Sequence, residues 1–430
     1  MTPPSSSPPS NRPPPGSRPP SELPDDRFSE WPTASTSRFG SIPSAARRSF
    51  EDYSLADLEA IRLLLRGGSI IDWHRLNFSG MEEVHLFLRA HEIAPEEAAD
   101  MARAEAVKNA AISYLRRNFD FPIPKAVATM ALPDLLMLAS GKGHRQLCAC
   151  TILKVMHVIH HMEARELLFT LPISDEDVFH LVETKVYRVI GDMLARGFPI
   201  VEFIGGRKNK DSLYTKLMSK PEVTAAQIYD KLRFRIVTRE PDDVFAILRH
   251  LVHHVFPFNY VIPGESTNTI FNFRSFCDSF PALEKLTHQT QFPVNFEDHE
   301  ANKMENAFSS SSYRVVHFVV DMPIRLPEAM VRSAPPAAWA LGPVIFSQTE
   351  FQILDHQNDR DNEMGPASHD AYKQRQKLAV MRRLKLGRGN RRTATSQATD
   401  MMATDYSGSD EASLSDPEEK ASQDASSDEE

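Results

Sequence analysis

Cysteine is scarce in this chain: Cys148, Cys150 and Cys277 are the only three in 430 residues. Three thiols make no disulfide framework, and their spacing matches no zinc site. A reducing, cytoplasmic compartment is therefore expected. Long apolar runs are also missing. None approaches the roughly 18 residues of a membrane span, and the N-terminus shows no apolar signal-peptide core, so no membrane partner is expected. No segment recurs at a fixed period, which argues against a repeat array. What is present is ordinary for a globular protein: 41 % hydrophobic and 25 % charged residues, in a length that suits two domains or one large one.

The ends differ from the middle. Ten prolines fall in the first 24 residues, and such a segment buries too little apolar surface to offset its chain entropy. Residues 406–430 hold nine acids and one lysine, a net −8 of the chain's −9. Just before them, residues 373–392 carry nine Lys or Arg and no acid. That basic run is a solvated helix end, a partner for the acidic tail, or a surface for phosphate-rich ligands. The expected division is a disordered N-terminus (1–50), an α-helical domain (51–197), an α+β domain (198–386) and a disordered basic-then-acidic tail (387–430).

Residues 54 to about 196 carry helical signals, with Ser54 and Ser174 as caps and Gly197 as a stop. From residue 199 the texture changes. PIVEFIG (199–205), KLRFRIVT (231–238), SYRVVHFVVDMPI (312–324) and GPVIFSQTEFQIL (342–354) read as strands. Helices are expected at 211–220, at 241–256 and from about 367 to 386, and an irregular region between 257 and 311. Strands alternating with helices predict a mixed β-sheet flanked by helices, α+β in class, preceded by an all-α domain.

Two clusters have plain explanations. His157 and His161 stand at i, i+4 on one helix face, a spacing that two metal ligands would use. No third ligand is identifiable and no Glu stands between them, so partly buried histidines on an amphipathic helix are expected. The dipeptide His369-Asp370 lacks the partner residues of a metal-dependent phosphohydrolase.

A sharper signal is TEFQILD (349–355). Alternate strand residues share a face, so Glu350 and Gln352 point one way while Phe351 and Ile353 point the other. Taken alone, this is a half-exposed strand. It does not stand alone. GGRKNKDSLYTKL (205–217) resembles the basic segment of RelA/SpoT-type alarmone synthetases, where Arg and Lys precede a Ser-x-x-x-Lys helix. IYDKLRFRIVTREPDDVFAIL (228–248) resembles their Asp-x-x-x-x-Arg-Ile strand, and SSYRVVH (311–317) their Asn-Gly-Tyr-Gln-Ser-Leu-His loop. TEFQILD with NEMGPASHDAYK (362–373) resembles their Glu-x-Gln-Ile strand and following helix. The order along residues 199–373 is the family's.

The resemblance implies a nucleotidyltransferase-like synthetase domain acting as a Mg²⁺-dependent pyrophosphokinase, with ATP as donor and GDP or GTP accepting at the 3′-hydroxyl. Asp230 then matches the Mg²⁺ ligand. Glu350 matches a second acid, assisting the metal or taking a proton. Lys208, Lys216 and Arg235 match cations facing the triphosphate, and Arg207 stands with them among the expected substrate-binding residues. Tyr313 matches the aromatic that stacks on the acceptor base, with His317 four residues on and Gln352 beside Glu350. Each has a plain alternative: a turn residue for Asp230, solvated lysines, simple packing for Tyr313 and His317.

The chain also departs from the family. The usual Arg-x-Lys is the adjacent pair Arg207-Lys208, the loop glycine is Ser312, and Leu354 stands where an Arg is common. Over fifty residues occupy a short basic loop's place, with Arg274 and Lys303 its candidate cations. Two alternatives follow: the same chemistry on the 3′ end of tRNA or another RNA, favoured by the basic run, and a non-catalytic nucleotide-binding regulator, favoured by Ser312 and Leu354.

Overall fold

The computed structural model describes residues 50–67, 76–220, 231–289 and 310–384. Asp230, Lys303, the acidic tail and nearly all of the proline-rich N-terminus lie outside the described residues. α1 (Leu55–Arg66) starts at a capping box, in which Ser54 Oγ accepts from Asp57 N and the Asp57 carboxylate accepts from Ser54 N. There follow α2 (Met81–Ala90), α3 (Ala98–Phe119), α4 (Lys125–Ala128), α5 (Leu132–Ala139) and α6 (His144–Thr170). α7 (Asp175–Ala195) opens on a second capping box, Ser174 with Asp177. Then come β1 (Ile200–Arg207), α8 (Lys210–Ser219), β2 (Leu232–Thr238), α9 (Asp243–His254), β3 (Thr267–Asn268), α10 (Phe273–Asp278) and α11 (Pro281–Gln289). β4 (Val316–Arg325), α12 (Glu328–Ser333), β5 (Val344–Asp355), α13 (His356–Glu363) and α14 (His369–Arg383) complete the order.

The region after α9 is more regular than its sequence suggests. Phe271, Phe273 and Phe276 pack on Phe245 of α9, the last pair at 3.9 Å between ring centroids, and this aromatic cluster orders β3 and α10. α13 was not legible either: HQNDRDNE has no apolar stripe. It is started instead by Asp355, the last residue of β5, whose carboxylate accepts from Gln357 N and Asn358 N.

Five strands form one mixed sheet in the order β1-β2-β5-β4-β3. β2 and β5 run parallel, and the other neighbours are antiparallel. The α+β class with helices flanking a mixed sheet is thus the one observed. On one face Phe234, Ile236, Phe318, Phe351 and Ile353 are fully buried in a core shared with α1, α7 and α9. A second core joins α2 to α5 and the first half of α6. α6, at 27 residues, is long enough to serve both. Among the described residues no helix is long and apolar enough to cross a membrane.

Candidate functional site

The other face of the sheet has two halves. Strand pairing places Phe346, Gln348, Glu350 and Gln352 of β5 together with Asp321, Val319 and His317 of β4 on this side. Arg233 and Arg235 of β2 join them. α6 covers the half around Phe346 and Asp321: the His161 ring stacks on Phe346 at 4.7 Å, and His161 Nε2 lies 3.2 Å from an Asp321 carboxylate oxygen. Roughly 13 Å further along β5 stands Glu350, beyond the cover of that stack.

Glu350 is only 5 % exposed. Its Oε1 accepts a hydrogen bond from Gln352 Nε2 at 2.6 Å and lies 3.2 Å from His317 Nε2. Arg233 is its register partner on β2, and Arg235 is that of Gln352. Arg235 pairs in turn with Asp359 of α13 and lies 3.5 Å from Glu363. The Tyr313 phenol is pushed above its usual value by burial; nearby Glu350 and Asp359 add to that rise, while Arg235 and Arg233 oppose it. That environment places the phenol among the same charges. Its loop is pinned from two sides. Thr269 Oγ1 donates to the Tyr313 carbonyl, and Asn362 accepts from Arg314 N at 3.0 Å while donating to Arg314 O at 2.8 Å. Ser312 takes no positive φ, so this loop manages without the glycine that the family keeps there.

Lys208 prolongs the β1 ladder, its N–H donating to Lys231 O, and its charge reaches His369 at the start of α14. Burial and the cations Lys373, Arg233 and Lys208 push the His369 imidazole down, against the opposing pull of Asp370. Lys216 lies on α8, which packs against α14 with Arg383 donating to Met218 O. Leu354, where an Arg was the family's habit, is fully buried. Arg274 pairs with Asp278 on its own helix.

Arg207 does not join this group. It pairs with Leu232 in the β1–β2 register, so it points to the face opposite Glu350. There its guanidinium makes two hydrogen bonds to Glu183 of α7, at 2.8 and 2.6 Å, and an ion pair with Glu176. The glutamates raise its pKa. α7 approaches closely enough that a Cβ on Gly205 would collide with the Tyr187 hydroxyl. Arg207 therefore fastens α7 to β1 and stands apart from the other residues expected to bind substrate.

The site also contains residues to which the sequence reading gave no role there: Arg233, Asp359, Asn362 and His369. Arg233 was findable, since the alternation of LRFRI puts it on the face of Arg235. Asp359 and Asn362 were not, because α13 carries no periodic signal.

A hard cation such as Mg²⁺ takes oxygen donors. When bound with a nucleotide it uses one or two carboxylates, with phosphates and water completing its shell. Glu350 is a buried carboxylate of that kind. Among the described residues no group of three or more His, Cys, Asp or Glu is placed to hold a metal. Glu350 is thus a donor of the kind that a nucleotide-borne Mg²⁺ would take.

No family model matches the sequence, and no curated protein does. Solved structures do. The small alarmone synthetase 2 from Bacillus subtilis is 16 % identical, over 56 % of this chain and 96 % of its own, with a TM-score of 0.28. The small alarmone synthetase 1 from Bacillus subtilis bound to its product pppGpp is 13 % identical, over 53 % and 94 %, at 0.26. A GTP pyrophosphokinase family protein from Streptococcus pneumoniae is 14 % identical, over 53 % and 93 %, at 0.24. The chain is similar to these synthetases at low identity and low superposition score, and what it does has to be argued from the face around Glu350.

Proposed function

We propose that the half-face around Glu350 binds ATP with Mg²⁺ and passes the β,γ-pyrophosphate to the 3′-hydroxyl of GDP or GTP. The observation that carries this reading is one buried carboxylate set between two strand arginines and a histidine, on the sheet face beyond the His161–Phe346 stack. Transfer between phosphates is mostly positioning and charge stabilisation, and these residues supply both. Arg233 and Arg235 bind phosphate oxygens. Tyr313, on its pinned loop, offers its ring to the acceptor base. Gln352 and His317 hold the Glu350 carboxylate in one orientation. Glu350 takes the proton of the attacking hydroxyl as its oxygen bonds to the β-phosphorus; the bond from that phosphorus to the α-phosphate oxygen breaks, and AMP leaves. Asp230 and Glu350 would hold Mg²⁺, which supplies charge neutralisation on the phosphates when bound.

The test follows label from the γ-phosphate of ATP with GDP, GTP or tRNA as acceptor. Label on the guanosine nucleotide is expected. Glu350→Gln should cost roughly 10²–10⁴-fold in kcat, the range for loss of a positioned base. Label on tRNA instead would move the acceptor to RNA.

A second reading, a nucleotide-binding regulator without turnover, is favoured by Arg235, whose guanidinium is engaged by Asp359 and Glu363 of its own chain. Nucleotide binding that survives Glu350→Gln, with no acceptor labelled in the unmodified protein, would select it.

A further inference from the structure

α8 and α14 pack together and carry a large excess of one charge. Arg383 of α14 donates to Met218 O of α8 at 2.9 Å, which ties the pair near their C-terminal ends. Residues 208–220 and 369–384 hold nine Lys or Arg against two acids, Asp211 and Asp370. Lys210, Lys373, Lys377, Arg382 and Arg383 are exposed. Lys210, Lys373 and Lys377 form no ion pair with an acid among the described residues. Other surface cations have acids beside them, as Lys231 has Asp175 and Arg332 has Glu328.

Lys373 and Lys377 stand at i, i+4 on one side of α14, where like charges repel. The charges of Lys373, Lys208 and Arg233 all reach His369 in the first turn of α14 and lower its imidazole, so the basic face runs on from α14 to the sheet. An anionic partner laid over this face turns the repulsion into attraction.

The chain itself holds a segment of matching charge. Residues 406–430 contain nine acids and one lysine, a net −8 against the net +7 of the two helical stretches. The first acid of that segment, Asp410, comes 26 positions after Leu384, where the described residues end. A chain of that length reaches at most about 90 Å. α14, with 15 residues, is only about 22 Å long, so the segment can be brought back over the whole of it. A partner joined by such a linker is present at an effective concentration on the order of a millimolar. Contacts that are each weak when exposed then suffice to hold it.

We propose that residues 406–430 dock on the basic face of α8 and α14 of their own chain, with their carboxylates against Lys210, Lys373, Lys377 and Arg383. Many screened charges hold the segment, so the docking weakens as salt rises. It is independent of the chemistry proposed at Glu350.

The test compares the full chain with a full chain in which all nine acids of residues 406–430 are changed to Asn or Gln. Circular dichroism and Tm confirm the fold of each. The probe is a fluorescein-labelled peptide of residues 406–430, followed by anisotropy at low salt. Saturable binding to the tail-neutral chain is expected. Binding to the unmodified chain should be weaker by about tenfold or more, because its own tail holds the face. Lys373→Gln with Lys377→Gln, made in the tail-neutral chain, should weaken the peptide about fivefold, as loss of two exposed ion contacts allows. Absence of saturation, or equal binding to both full chains, would overturn the assignment. So would binding untouched by the two lysine changes, which would move the tail to the basic residues 385–392. Sedimentation velocity separates a chain's own tail from a neighbour's. A mass that grows with concentration in the unmodified chain, and not in the tail-neutral one, would mean docking between two copies and would also overturn it.

Discussion

Tyr313 shows how far a single residue can be read. Its partly buried phenol feels the charges of Arg233, Arg235, Glu350 and Asp359, so it could matter through its hydroxyl or through its face. If the ring stacks on the acceptor base, Tyr313→Phe leaves kcat and KM nearly unchanged. Tyr313→Ala then raises the acceptor KM by roughly 10-fold or more, since stacking is worth about 1–3 kcal/mol per base. Initial rates at varied GDP decide it; a large kcat loss in Tyr313→Phe would assign the hydroxyl instead. At this scale period-two alternation made Glu350 and Gln352 legible as one face; Arg235 and His317, which only the family resemblance had singled out, lie on the same face. The same rule explains the failure at Arg207. Where the family spaces its cations two apart, this chain has them adjacent, and a one-residue offset in a strand turns a side chain to the other face.

At the scale of elements, α13 governs the site although nothing in its sequence announced it. Asp355 starts it, Asn362 clamps the Tyr313 loop, and Asp359 and Glu363 reach Arg235. An acid on Arg235 competes with a phosphate for the same guanidinium. Asp359→Asn should therefore tighten ATP binding, by up to about fivefold for release of a partly exposed ion pair. Calorimetric titration with ATP and Mg²⁺ measures it. Weaker binding in the variant would mean that Asp359 positions Arg235 for the ligand and does not compete with it. Helices with an apolar stripe and a capping serine, such as α1 and α7, were readable because local chemistry specifies them. α13 has a local start in Asp355, but contacts to Arg235 and Arg314, distant in sequence, fix its place, and no local pattern records those.

Across the whole molecule, helices 51–197 divide between two cores. α1 and α7 sit in the sheet's core, while α2 to α5 build another with the start of α6. Amphipathic periodicity told which residues are apolar but not which core each helix joins. The seam between the two cores is lined by His91, His157 and His160, all held neutral by burial. An unfolded chain protonates these imidazoles near pH 6.5, and the folded chain does so only at much lower pH. Between those values the unfolded state binds more protons, so the stability they contribute is complete above about pH 6.5 and is lost as the pH falls below it. Each such histidine takes away about 1.4 kcal/mol per pH unit in that window. Urea unfolding of the full chain from pH 8 to pH 5 should show near-constant stability down to about pH 6.5 and then a steep fall. Replacing His160 by Gln, which removes one titrating ring, should make that fall shallower. A flat profile through pH 5.5 would mean that acid is accommodated in the seam, and the three histidines would then not be the neutral network that joins its two cores.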